Sequence, residues 1–444
     1  METNLVLEQP VYKMSTFEFL WKIFHNPLDA LTDLANEQGD IARIKLRKRD
    51  LFLLSHPSFI EEVLVRQADN FVKGPSLQRA RIILGEGLLT SEGDEHLAQR
   101  RTLQPAFHRH KMEEYLPLMN ENALAHIANW QNGERVDMSE GMMRLTLNIA
   151  LWSFFGGAPK GAVEQVSVSM KTLVRLFPLA QMPLPESARS LFPSFKEAKT
   201  SLNEVTEALL HNPQNEHAKR ALVHILKENH QDQFTDEQIH AHALTFLLAG
   251  HETTALLLAW CWDMLAHNPM AQSILQAEVD SVLGDRLPTP EDIQKLPYTR
   301  AVVNETLRMR PPAWAMGREA LRDCEIGGQF IPAGSTVVMS QWVTHHDARF
   351  YYEPLHFRPE RWFDLDGAST PRYSFFPFGG GNRVCIGEHF AMTEVVAVLA
   401  VMAQRWQISP AQRGLAKPNP SITLRPHKNI KVIVTRRAYG ERVS

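Results

Sequence analysis

Cysteine, charge of one sign and unbroken apolar runs are all scarce in this sequence, and each scarcity removes a class of protein. The 444 residues hold three cysteines, Cys261, Cys324 and Cys385. Their odd number and wide spacing suit neither a disulfide framework nor a zinc site, which points to a reducing cytoplasm. A formal net charge of -3 excludes a polycation, and nothing in the chain resembles a nucleic-acid module, so nucleic acid is not an expected partner. Glu8, Lys13, Glu18 and Lys22 break up segment 1–27, which therefore reads neither as a signal peptide nor as a membrane anchor. The longest apolar run, 243–262, carries His251 and Glu252 at its middle. Charge is costly there in lipid, so a buried helix is expected. Internal repeats, low-complexity linkers and long charge blocks are also missing, and 1–444 is expected to be one monomeric domain.

What is present is a composition 44% hydrophobic and 22% charged, enough for a large core. Segment 41–55 has two β-rich pieces around a charged turn and predicts a hairpin. Helical spacing then recurs over 112–130, 138–155, 162–176, 196–210 and 216–229, so the chain is mainly helical. Pro178, Pro183, Pro185 and Pro193 predict an apolar loop between two of these helices, suited to a lid. Thr235 and Gln238 form a capping box that opens a helix running to Asn268. Another helix, 298–310, is stopped by Pro311 and Pro312. Strand 335–340, a final helix 387–406 and strands 422–424 and 430–435 complete the reading.

The stretch 376–387, F-P-F-G-G-G-N-R-V-C-I-G, sets three glycines, an arginine and a cysteine immediately before a helix. Glycines let the backbone turn tightly and bring its amides to the sulfur, while the helix N-terminus adds positive potential. Both effects favour a thiolate. An isolated cysteine in a turn is more often a small buried residue, but here Phe378, Gly381, Arg383, Cys385 and Gly387 fit F-x-x-G-x-R-x-C-x-G at every fixed position.

That pattern resembles the cytochrome P450 family, in which a cysteine thiolate ligates haem iron. The likeness extends over nearly the whole chain. It implies a triangular, mostly helical prism with a small β-rich region, haem b as cofactor, and Cys385 as the metal ligand. The implied reaction inserts one atom of O2 into a small apolar organic substrate such as a fatty acid, a terpenoid or another natural product. Electrons would come from NAD(P)H through a separate ferredoxin or flavodoxin and its reductase, since no such module follows the haem domain.

Other positions gain meaning from this resemblance. In A-G-H-E-T-T, 249–254, a polar cluster interrupts an apolar helix, and unsatisfied buried groups cost about 1 to 3 kcal/mol each. Back-bonding of Thr253 to the preceding turn would explain it structurally. The family assigns Gly250 room for oxygen, Thr253 a hydrogen bond to it, and Glu252 a part in proton delivery. Glu305 and Arg308, three apart on one helix face, can pair. The family joins such a pair to an arginine that matches Arg361 in F-R-P-E-R-W, as a structural trio. Arg383, His96, Arg100 and Arg318 match contacts to the haem propionates, with His96 standing where the family pattern has tryptophan. Leu89, Ala249, Ala313 and Trp314 are implied to lie by the substrate, though ordinary core would explain each. Arg47, Arg79 or Arg81 could anchor a carboxylate. The basic stretch 100–111 corresponds to the family's docking surface for an acidic electron carrier. Two alternatives stay open: a same-fold haem enzyme that couples phenols or rearranges its substrate, and a non-catalytic haem protein that binds a ligand.

Overall fold

Segment 41–55 forms the expected hairpin, with Ile41–Lys45 and Asp50–Leu54 paired antiparallel. The computed structural model describes residues 14–46, 49–180, 193–211, 221–224, 227, 234–364 and 370–437. Its contacts gather into a smaller unit, Met1–Pro75, Trp314–Pro354 and Thr370–Arg383, and a larger one comprising Ser76–Ala313, Leu355–Ser369 and Val384–Ser444.

The smaller unit is built on a five-stranded sheet in the order Ile41–Lys45, Asp50–Leu54, Thr336–Met339, Met316–Ala320, Phe71–Lys73. Successive side chains of a strand point to opposite faces, and both faces of this sheet are covered. Phe52, Leu54, Val337 and Met339 enter one cluster with Ile60, Val63 and Tyr373. Leu53 and Val338 enter the other, with Leu31, Leu34 and Ile44. The helix Pro27–Gln38 supplies that second layer, opened by Pro27 at its first position and by the Asn26 side chain, which accepts from the Asp29 amide.

The larger unit is helical around one long element, Asp236–His267. Thr235 and Gln238 form the predicted capping box at its start, and Asn268 caps its end. Among the described residues this is one helix long and apolar enough to cross a membrane, and 78% of its most apolar window is buried inside the protein as a core helix. It packs on Met138–Phe155, where the Thr146 hydroxyl donates to the His251 carbonyl at 2.9 Å. Phe154 then meets Phe390 of the helix Glu388–Arg405 at 5.0 Å, and Tyr115 of Arg109–Ile127 approaches Phe390 edge-on at 5.7 Å. Burying such side chains stabilises the packing by about 1.5 to 3 kcal/mol each. A three-stranded sheet of Glu134–Asp137, Lys431–Arg436 and Trp406–Pro410 and a small hairpin, Pro418–Pro420 with Leu424–Pro426, complete the unit.

The mainly helical expectation with a small β-rich part therefore holds. Two boundaries differ. The helix Ala162–Ala180 continues through Pro178 instead of stopping before it. Pro193, expected in the loop, belongs to the helix Pro193–Leu210. Pro183, Pro185, the expected lid and most of 216–229 lie outside the described residues.

Candidate functional site

The glycines before Cys385 have separate reasons. Gly379 and Gly381 have φ of 75° and 64°, the left-handed region that side chains disfavour. A Cβ on Gly381 would also sit 1.9 Å from the Leu64 carbonyl oxygen, and one on Gly380 would lie 2.4 Å from the Tyr373 ring. The backbone is thus pressed against two fixed neighbours. Arg383 ends this run as a half-buried residue of the smaller unit, as is Phe378.

Cys385 belongs to the larger unit, two residues ahead of the Gly387 that caps Glu388–Arg405. It is exposed, while Cys261 is buried and Cys324 is intermediate. Burial pushes the Cys261 thiol up to about 12, so it is inert. Desolvation of its sulfur, with the charge of Glu388, pushes the Cys385 thiol up as well. The Gly387 amide and the charge of Arg100 pull the other way. Arg100 is held in place by donating to the Val384 carbonyl at 2.7 Å. Buried His96 lies one turn before it on the helix Gly93–Leu103. Of the predicted propionate contacts, His96 and Arg100 are in the larger unit and Arg318 and Arg383 in the smaller.

On the long helix, most residues are buried, but Ala249 is exposed and Thr253, one turn on, is half-buried. This is the accessible face of an otherwise enclosed element. The Thr253 hydroxyl donates to the Ala249 carbonyl at 2.9 Å, the back-bond expected of a threonine in a helix. Gly250 has a packing reason for lacking a side chain: a Cβ there would meet the Phe154 ring at 2.7 Å. Glu252 is buried and turned to the C-terminal hairpin, where Oε1 accepts from Thr423 Oγ1 at 2.6 Å and from Arg425 Nη2 at 2.7 Å.

The Glu305, Arg308 and Arg361 trio is assembled. Arg308 donates to both carboxylate oxygens at 3.0 and 2.9 Å, and Arg361 Nε to Oε1 at 2.9 Å. Trp362 Nε1 and the Arg358 amide add bonds at 3.1 and 3.0 Å. Of the substrate candidates, Ala313 is exposed and Leu89 half-buried in the larger unit. Trp314 lies in the smaller one, packed on the Leu31 cluster, and its carbonyl accepts from Ser340 Oγ at 2.9 Å. Arg81 is used to bind the Thr90 carbonyl, and Arg47 lies outside the described residues.

Sequence reasoning missed the Thr423 and Arg425 partners of Glu252, which no local pattern in the sequence indicates. It also missed His242. Burial lowers His242 to about 4, and its neutral Nδ1 accepts the Leu88 amide at 3.3 Å, which fixes the loop carrying Leu89. Only the structure brings those residues together.

Among the described residues no cluster of three His, Cys, Asp or Glu could hold a metal ion. A metal at Cys385 would take one thiolate from the chain and its other ligands from a prosthetic group. Haem fits that donor set, and the accessible thiol at a helix start suits it.

A helical fold with an accessible cysteine after a glycine loop defines a haem-thiolate type of protein. The sequence profile described as Cytochrome P450 matches residues 12–434, and the chain belongs to that family. It is an oxidoreductase of the monooxygenase kind. Among curated proteins it is similar to cyclooctatin synthase of Streptomyces melanosporofaciens, 34% identical over 90% of this chain and 89% of the relative. Cyclooctat-9-en-7-ol 5-monooxygenase of the same organism is 30% identical over 88% of this chain and 86% of its own length. Pentalenene oxygenase of Streptomyces avermitilis is 28% identical over 95% of both chains.

Proposed function

We propose that this monooxygenase acts on a terpenoid, with 1–444 as one haem domain, Cys385 as the residue whose thiolate would hold the haem iron, and Thr253 and Glu252 serving proton delivery for oxygen activation. The carrying observation is that Cys385 is accessible and lies beside an amide and a cation, while Cys261 is sealed in the core. Haem, when bound, supplies the redox centre at which O2 is activated. The chain supplies the rest. Gly387 and Arg100 stabilise negative charge on the sulfur. His96, Arg100, Arg318 and Arg383 are the cations for the propionates. Thr253 holds a hydroxyl on the accessible helix face, Glu252 holds a proton-exchanging carboxyl one residue away, and Ala249 keeps that face apolar. Leu89, Ala313 and Trp314 are proposed to line the substrate side, where burial of apolar surface gives affinity.

The names of three relatives, which refer to cyclooctat-9-en-7-ol, cyclooctatin and pentalenene, support a terpenoid substrate. Electrons are proposed to come from NAD(P)H through a ferredoxin or flavodoxin, docking by the basic stretch that includes Arg101 and Arg109. A cytoplasmic monomer is the proposed working form.

The test is spectroscopic. Reduced protein under carbon monoxide should show the strongly red-shifted Soret band of a thiolate-ligated haem, and Cys385→His should abolish it. Retention of the band by that variant, with loss in Cys324→Ser or Cys261→Ser, would overturn the ligand assignment. Cyclooctat-9-en-7-ol and pentalenene serve as probes for the substrate class. A Soret shift and an oxygenated product with either one is the expected result.

A further inference from the structure

We infer that Arg425, with Thr423, is a positioning residue for Glu252, holding that acid by a single oxygen and so setting how protons reach the oxygen face. The inference rests on the reading of Glu252 as the proton-supplying acid.

Three donor atoms converge on one point. Glu252 Oε1 accepts from Thr423 Oγ1 at 2.6 Å, from Arg425 Nη2 at 2.7 Å and from Arg425 Nε at 3.2 Å. Among the described residues no donor reaches Oε2. One oxygen is therefore an anchor, and the other is left to exchange a proton. The anchor is itself rigid. Thr423 immediately precedes the strand Leu424–Pro426 and Arg425 lies within it, and both side chains reach Glu252. Leu424 between them is pinned by its backbone on both sides: its carbonyl accepts from Trp260 Nε1 at 3.0 Å, and its amide donates to the Pro312 carbonyl at 2.9 Å. Trp260 lies two turns beyond Glu252 on the same helix, so helix and strand are fixed to each other at both places.

The direction of the hold is informative. Thr253 directs its hydroxyl to Ala249, while Glu252 turns to the strand, so the two neighbours do not bond to one another here. Glu252 is 5% exposed, whereas the Arg425 side chain is 25% exposed. The arginine is the part of this pair that meets solvent. The buried carboxylate is thus anchored to a cation that itself reaches solvent, while the neighbouring Thr253 lies on the accessible stretch of the helix. Without the anchor, the acid would lose both its charge partner and its aim.

The test uses haem-loaded protein with a plant-type ferredoxin, its reductase and NADPH. NADPH oxidation and peroxide release are measured in H2O and D2O. Arg425→Met should lower turnover roughly tenfold and enlarge the solvent isotope effect, as Glu252→Gln should, and the double variant should be no slower than either single one. Arg425→Lys should recover most of the rate. Urea unfolding of the same haem-loaded variants reads the pair without turnover, and non-additive shifts between positions 252 and 425 are expected. Wild-type rates and isotope effects in Arg425→Met with an intact carbon monoxide band would overturn the inference, as would additive unfolding shifts. If Arg425→Met does not hold haem, Thr423→Val decides: it removes one anchor bond, and an unchanged isotope effect there overturns the proposal. Loss of the band in the wild-type protein would instead remove the parent reading.

Discussion

Glu305 and Glu252 are both buried carboxylates on helices, both paired with arginine, and they are bonded in different ways. Glu305 takes bonds on both oxygens, from Arg308, Arg361, Trp362 and the Arg358 amide. Its own side chain and that of Arg308 are 0% exposed. A carboxylate has about four lone-pair positions, and here they are taken. Glu252 is anchored through Oε1 alone, to an arginine that reaches solvent, next to the accessible stretch at Ala249 and Thr253. A saturated acid fixes structure; an acid with a spare oxygen can exchange a proton.

The largest expected effect would break this contrast at Glu305. Glu305→Gln leaves two buried arginines short of a counter-charge and should destabilise the protein by roughly 3 to 5 kcal/mol, read as a lower urea midpoint and poor haem retention. Glu252→Gln should cost far less stability while slowing turnover. Equal losses in the two variants would erase the distinction.

Thr253→Ala comes next. Its hydroxyl only back-bonds to Ala249, so the fold should lose less than about 1 kcal/mol and haem should still bind. Product per NAD(P)H should fall and hydrogen peroxide should rise, because the hydroxyl no longer directs the proton. Normal coupling, measured with a turned-over probe and the same electron donors, would remove the catalytic role of Thr253.

The smallest effect concerns a third acid, Glu394, which sharpens the comparison because it is buried and, among the described residues, no donor meets either oxygen in hydrogen-bond geometry. Burial pushes this carboxyl well above 4.5, against a weaker pull from the Thr254 hydroxyl. The folded state therefore holds the proton more tightly than the unfolded one. The stabilisation is complete in acid and declines as pH rises from about 4.5 toward the folded value. Glu394→Gln should be nearly neutral in acid and flatten that decline, seen in urea midpoints between about pH 4 and pH 9. A parallel pH profile in the variant would show that folding leaves the proton affinity of Glu394 unchanged.

The parts of this molecule legible in the sequence are those governed by local rules. The capping box at Thr235, the stop at Pro311 and the helix start after Gly387 follow from short-range chemistry, and the structure has all three elements. The Glu305 and Arg308 pair was readable because three residues of helix bring the side chains together. Arg361 came from the family pattern alone. The Glu252 and Arg425 pair was not readable, since nothing in A-G-H-E-T-T indicates which distant strand will lie against it. Gly250 shows the same limit in reverse. Its position in the motif suggested room for oxygen, and only the structure adds that a Cβ there would meet the Phe154 ring. Pro178 was read as part of a loop, while the helix Ala162–Ala180 includes it.

The glycine loop also carries information about timing. Gly381 fits only against the Leu64 carbonyl, and Gly380 only beside Tyr373, so the loop takes its shape from a chain segment made early and one made almost last. A growing polypeptide on the ribosome has Leu64 in place long before Gly381 emerges. Contacts between such distant segments form slowly, because the intervening chain must first be drawn together. The loop that leads into Cys385 can accordingly take its final shape only after Gly381 has joined a chain whose Leu64 was made long before.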